Sequence, residues 1–248
     1  MDTGVAVGEV HLEIHRSSES VTAAPSARAG WVRIADWLMA ATVVMYVAAA
    51  VYHVSVPGDR LVGAPVVDDA FYYLRPAQHL LEGRGYSFDG VARTNGVQPL
   101  WAGACVVLAA LIEDPGTLVR AMAFVSAMLW MFGGVVLYRA FRNRWTAIGL
   151  VAGVGWTLTG VSGLIALQGM ENGLHGLLAA MLVAAAMSFA DAEAPAGARR
   201  WLWLGTLLAL FALTRVDSAL LALIVGALCL FGMVRLGGRA RAGFQWRE

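Results

Sequence analysis

Apolar residues in this chain come in blocks and do not alternate with polar ones. Blocks at Trp37 to Val56, Thr117 to Tyr138, Trp145 to Leu167 and Gly173 to Ala190 are long enough, or nearly so, to cross a bilayer as helices. Two more follow at Trp201 to Thr214 and Ser218 to Val234. The pattern predicts an all-α fold, a polytopic transmembrane helix bundle of about six spans. A further block, Pro99 to Ile112, has fourteen residues. As a helix it rises only about 21 Å against a hydrocarbon core of about 30 Å.

The placement of that short block decides the topology. If it spanned, Arg139, Arg142, Arg144, Arg199 and Arg200 would share a side with the polar loop after the first span. If it lies on the interface, they join the N-terminal tail and Arg235, Arg239, Arg241 and Arg247. The bias of arginine toward the cytoplasmic side selects the second arrangement. Both ends are then cytoplasmic, and the outer face receives the long loop, Glu171, Arg215 and Asp217. Residues 1–34, with Ser, Ala, Gly and charges of both signs, read as a disordered cytoplasmic tail. They lack the basic segment, apolar run and small-residue cleavage site of a signal peptide. Residues 35–248 form the transmembrane module, with 57–116 as its outer loop.

That loop carries its own helical pattern. Asp68 and Asp69 open a helix, Phe71, Leu74, Leu80 and Leu81 give it an apolar face, and Gly83 and Gly85 end it. Pro76 should bend or divide it. Thr94-Asn95-Gly96 supplies a turn, Pro99 suits the first position of a second interfacial helix, and Trp101 suits a headgroup anchor.

Composition agrees with the pattern, with 59% of residues hydrophobic and 14% charged. All 18 basic residues are arginine, and the net charge of +1 excludes a polybasic nucleic-acid binder. Cys105 and Cys229 lie in apolar stretches, where a thiol packs as a small hydrophobe; neither a disulfide nor a metal site is expected of them.

Candidate chemistry gathers in the outer segments. One of Asp68 and Asp69 is expected to cap the helix by accepting backbone N–H groups. The other then stands beside a second carboxylate, which suits it to base work or to half of a divalent-cation site. Glu171 is explained equally by the helix dipole and by function. His175, one turn on, is in reach of Glu171 but reads more simply as a packing residue. Arg215 either snorkels to the interface or sits in a wet cavity where its planar fork grips a phosphate, with Asp217 orienting it. Asp36, Asp59, Asp89 and Glu113 read as solvated charges.

These parts, in this order, resemble the GT-C superfamily of polyprenyl-phosphate-sugar-dependent glycosyltransferases, including arabinofuranosyltransferase-like bacterial members. The resemblance rests on Asp68-Asp69-Ala-Phe-Tyr-Tyr-Leu, then Glu82 to Gly90, then Thr94-Asn95-Gly96-Val97-Gln98-Pro99-Leu100-Trp101. Gly169-Met170-Glu171 and Leu213-Thr214-Arg215-Val216-Asp217 follow as shorter matches. Family members often carry His where this chain has Gln98, and Arg-Pro-Glu where it has Arg215-Val216-Asp217. The loop match covers about thirty-five residues, and the six or so spans resemble the family's shared N-terminal module, where GT-C enzymes usually have ten or more.

The resemblance implies an inverting transferase in a bacterial inner membrane with its active face outward. It would use a polyprenyl-phosphate-linked sugar and a glycan, lipid or protein acceptor. Asp68 or Asp69 is the expected base and Arg215 the expected phosphate ligand, with Glu171, Asp217, Asn95 and Gln98 supporting. The residues themselves add the expectation of a divalent cation, Mg or Mn, held by Asp69 and Glu171. Two rival expectations are a catalytically incomplete module that binds lipid phosphate or a second polypeptide, and half of a transporter.

Overall fold

The computed structural model describes residues 27–62, 65–162, 165–190 and 197–244. In chain order the helices are α1 (Ala27–Ser55), α2 (Gly58–Leu61), α3 (Phe71–Leu81), α4 (Pro99–Leu111), α5 (Pro115–Arg142), α6 (Thr146–Ser162), α7 (Asn172–Ala190), α8 (Ala198–Thr214) and α9 (Ser218–Phe244). Short 3-10 turns cover Asp68–Ala70 and Ile165–Leu167. Among the described residues there is no strand, only an isolated bridge between Val62 and Val66, so the all-α expectation holds. Three helices are long and apolar enough to cross a membrane: Arg28–Ser55, Pro115–Arg142 and Asn172–Phe189. Pro99–Leu111, Thr146–Gly160 and Ser218–Phe231 are shorter apolar helices.

The first helix corrects the expected tail boundary. It begins at Ala27, inside the segment assigned to a disordered tail, because Ala27-Arg28-Ala29 are strong helix formers. Arg28 also ties this end down by donating from Nη2 to the Asn143 carbonyl at 2.7 Å. Residues 1–26 and Arg247 lie outside the described residues.

Helix α5 packs against α1, α6 and α7 and organises the bundle. It runs antiparallel to α1. Near the start of α5, Arg120 donates to the Val54 carbonyl and, at 2.8 Å, to that of Val56, which satisfies acceptors left open at the end of α1. At the opposite end Asp36 accepts from Arg142 Nε and from the Tyr138 hydroxyl, each at 2.7 Å. Asp36 is therefore not the solvated charge expected of it: its partners come from another helix and fix how α1 and α5 meet. Small residues bring α5 close to α6 and α7. A methyl group on Gly134 would lie 2.1 Å from Thr157 Oγ1, and one on Gly173 would lie 1.8 Å from the Ser126 carbonyl oxygen.

The segments between α1 and α5 pack on the bundle and contribute to its core. Leu74 and Ala77 of α3, Trp101 and Cys105 of α4, and Leu118 and Met122 of α5 are buried in one cluster. Leu178, Leu204, Phe211 and Cys229 help form another between α7, α8 and α9. Both cysteines are buried, as expected of small apolar packing residues. Helix α3 stays one element across Pro76, which removes division from the two expected outcomes, a bend or a division; the proline ring is buried, and its packing offsets the backbone bond it cannot make. Gly83 ends the helix with φ +78°, a conformation that side chains rarely adopt.

Trp101 also departs from expectation. It is fully buried, and its Nε1 donates to the Gly169 carbonyl at 3.2 Å. The indole is thus a pin between α4 and the turn before α7, not a headgroup anchor.

Candidate active site

The acidic pair occupies the 3-10 turn that precedes α3. Val67 is the residue at its N-cap, in extended backbone, and neither carboxylate makes a capping bond. Among the described residues Asp68 Oδ1 accepts only the N–H of Asp69, at 3.1 Å. The expected assignment of one aspartate to capping is therefore corrected: the turn starts one residue too early for either side chain to reach the amides of α3. Asp68 and Asp69 are both exposed, and the Asp69 carboxylate has no partner among the described residues. What holds the turn is packing. Ala70 is buried against Gly169, where φ is +77° and an added methyl group would come within 3.1 Å of the Ala70 Cβ. The acidic turn is thereby seated two residues from Glu171.

Glu171 is the buried charge of the site, 2% exposed. The Tyr73 hydroxyl donates to its Oε2 at 2.9 Å, and Arg215 Nη1 donates to its Oε1 at 3.2 Å. Tyr73 in turn accepts the N–H of Gln98 at 3.4 Å. The backbone around Glu171 is fixed from several sides. Besides the Trp101 pin, Ser126 Oγ of α5 donates to the Met170 carbonyl at 3.0 Å and accepts the N–H of Gly173 at 3.1 Å. Two chain segments, α3 and the one after α8, therefore meet on this carboxylate, while α4 and α5 hold the backbone on either side of it.

Arg215 follows the end of α8 in extended backbone, and the next turn brings Asp217 back to it. Nε donates to Asp217 Oδ1 at 3.2 Å and Nη2 to Oδ2 at 3.1 Å, a fork-on-carboxylate geometry. The Asp217 side chain is 68% exposed, whereas that of Glu171 is 3% exposed; Arg215 lies between at 37%. A guanidinium has five N–H groups, and three are engaged, so two remain for a ligand. Hydrogen bonding to Arg215 holds the Asp217 carboxyl below the usual carboxylate range. Burial, followed by the charge of Glu171, pushes the Tyr73 phenol up, which keeps it a donor.

These contacts bear on the donor chemistry that a divalent cation would need. Both oxygens of Glu171 accept bonds from a phenol and a guanidinium, and a cation already stands beside it. Among the described residues no three His, Cys, Asp or Glu side chains gather as ligands. The residues present do not fit a divalent cation shared by Asp69 and Glu171.

The remaining expected residues lie around this core. Gln98 opens α4 with its side-chain oxygen buried and unpartnered among the described residues. Asn95 is exposed in its turn, where Gly96 takes φ +83°. His175 does not bond the Glu171 side chain: its Nδ1 pairs with Thr214 Oγ1 at 2.9 Å and its ring stacks on Phe211. Asp89 is no idle surface charge, since its Oδ1 accepts the N–H groups of Val91 and Ala92, both at 2.8 Å, and the Ser87 hydroxyl at 2.9 Å. Those backbone bonds pull its carboxyl down and order the loop. Glu113 is exposed as expected, and the Asp59 side chain lies outside the described residues.

The structure thus brings Glu171, Arg215 and Asp217 into one bonded cluster and leaves Asp68 and Asp69 exposed beside it. Tyr73 is the member that sequence reasoning missed. Its one signal was its position four residues after Asp69, on the helix the acidic pair opens. No family model, curated protein or solved structure matches this chain.

Proposed function

We propose that this protein is a membrane glycosyltransferase that moves a sugar from a polyprenyl-phosphate donor to a glycan, lipid or protein acceptor, with inversion. The observation that carries the reading is the Tyr73–Glu171–Arg215 linkage, which joins three separate segments of the family-like pattern through side-chain bonds. Six spans, with α3 and α4 as outer elements, fit the alternating direction of the long helices. Arg28, Arg33, Arg139, Arg142, Arg199 and Arg200 stand at the end opposite the cluster, which favours an outward-facing site.

In this reading the unengaged Asp69 takes the proton from the acceptor hydroxyl. The oxygen then forms its bond to the anomeric carbon from the face opposite the phosphate. The carbon–phosphate-oxygen bond breaks, and its electron pair leaves with the polyprenyl phosphate. That leaving group needs charge stabilisation and no proton, and Arg215 supplies it. Arg215 faces two carboxylates and keeps two N–H groups open, so a donor phosphate that takes the full fork of the guanidinium replaces one of them. Asp217 is the one replaced, because it is exposed and held only through Arg215, whereas Glu171 is buried and also bound by Tyr73. No step is assigned to a metal ion.

The test is transfer of labelled sugar from a panel of polyprenyl-phosphate sugars to a membrane glycan extract, comparing the wild type with Asp68→Asn/Asp69→Asn. Transfer by the wild type that disappears in the double variant is the expected result. Full transfer by the double variant would overturn the reading. Binding of polyprenyl phosphate by both proteins with transfer by neither would replace it with the incomplete-module reading, in which a second polypeptide completes the enzyme.

A further inference from the structure

At the end of the bundle remote from Glu171, α1 and α5 enclose a groove of about 670 Å³. Its walls are apolar, formed by Met39, Val43 and Val44 of α1 and Val135 of α5. Its mouth is basic. Arg142 lines it with its charge matched by Asp36, but Arg139 is exposed and has no partner among the described residues. Arg28 adds a second cation, since it reaches the carbonyl of Asn143, another residue of the mouth, at 2.7 Å. Both helices are among those long and apolar enough to cross a membrane. Trp31, Trp37 and Trp145, exposed by 68%, 76% and 47%, stand at this same end, as interfacial tryptophans do.

We infer that this groove binds one anionic glycerophospholipid, its phosphate at Arg139 and Arg28 and an acyl chain laid along the Met39–Val44 wall. Two observations select that ligand. The apolar walls lie on membrane-length helices, so a lipid tail matches them and a free water-soluble anion does not. The unmatched cations at the mouth favour a net negative headgroup, because the amine of a zwitterionic lipid would meet arginine. The site is independent of the glycosyltransferase reading, since it shares no residue with the cluster around Glu171.

The experiment is native mass spectrometry of the full chain from detergent, titrated separately with phosphatidylglycerol and phosphatidylcholine of identical acyl chains. Retention of phosphatidylglycerol should exceed that of phosphatidylcholine by about fivefold for each contributing arginine. Arg28→Gln/Arg139→Gln should bring the two lipids to parity, while Arg75→Gln, at the opposite end, should keep the preference. Val44→Trp fills the groove and should lower retention of both lipids, which keeps the idea testable if the arginine variant fails to fold. Equal retention of the two lipids by the wild type, an undiminished preference in Arg28→Gln/Arg139→Gln, or unchanged retention in Val44→Trp would each overturn the assignment. A dimer dispersed by Val44→Trp would overturn it too, by giving the groove to a second copy.

Discussion

Replacing Tyr73 by Phe tests the buried end of the site without disturbing its shape. The ring is 5% exposed and keeps its place, so the variant loses one oxygen and little packing. That oxygen is the donor to Glu171 Oε2, and the Glu171 side chain is 3% exposed, so solvent does not replace the lost bond. A hydrogen bond to a charged group is worth about 1.5–3 kcal/mol. The Gln98 N–H loses its acceptor as well, but at 3.4 Å that bond is weak and adds little. For a chain of this size about 2 kcal/mol corresponds to a melting shift of about 4–8 °C. Thermal unfolding of the detergent-purified protein, followed by tryptophan fluorescence, measures it directly.

A double-mutant cycle separates this bond from general damage. With Glu171→Gln as background, the partner left behind is a neutral amide, which is cheaper to leave unpaired than a carboxylate. Tyr73→Phe should therefore cost less there, with a coupling of about 1 kcal/mol or more between the two changes. Strictly additive effects, or a Tyr73→Phe shift under about 1 °C, would refute the claim that Tyr73 holds Glu171.

Two further outcomes follow from the same geometry. Gly173→Ala places a methyl group 1.8 Å from the Ser126 carbonyl, where backbone has no rotamer to yield, so it should abolish the monodisperse detergent-stable species. Gly205→Ala, with nothing within 4 Å, should match or slightly exceed the wild type; equal behaviour of the two variants in size-exclusion chromatography would sink the packing argument. Asp217 gives a pH signature. Its carboxyl is held low in the folded state by Arg215, so its contribution is present above the unfolded value of about 3.9 and is lost as pH falls through the folded value. The wild type should therefore lose melting temperature over that acidic window more steeply than Asp217→Asn, and parallel curves would show that the pairing does not matter.

The bundle helices were legible because each contains an apolar run, and runs are local. Gly83, Gly96 and Pro99 punctuate the outer loop where their backbone requirements put them. Partnerships were not legible. Asp36 looked like a solvated charge because Arg142 lies 106 positions away, and Glu171 pairs with Arg215 across 44. Tyr73 had no place in the apolar face read from the loop, since helical spacing reports which side chains face inward and says nothing of what a phenol meets there. Trp101 was misread for a related reason. A tryptophan at the start of an apolar helix suits a headgroup, and only the fold brings the Gly169 carbonyl to its indole.

The exposure gradient across the cluster bears on why it contains ions at all. A buried ion pair is seldom a route to stability, because apolar residues of equal volume would hold the same segments together as well or better. Here one carboxylate is sealed under a phenol and the other stands in solvent, with a single guanidinium between them. Stability alone does not require that asymmetry. Under the glycosyltransferase reading it has a use, because the sealed Glu171 fixes where the cation stands and the exposed Asp217 can leave. Arg215 would then be oriented for a phosphate before one arrives, with little of the binding energy spent on ordering the side chain. The same argument sets opposite effects for the two acids: Asp217→Asn should tighten binding of polyprenyl phosphate by removing a competitor, whereas Glu171→Gln should weaken it by loosening the cation. Titration of both variants with a fluorescent polyprenyl phosphate distinguishes them, and effects of the same sign would show that the two carboxylates do not divide the work in this way.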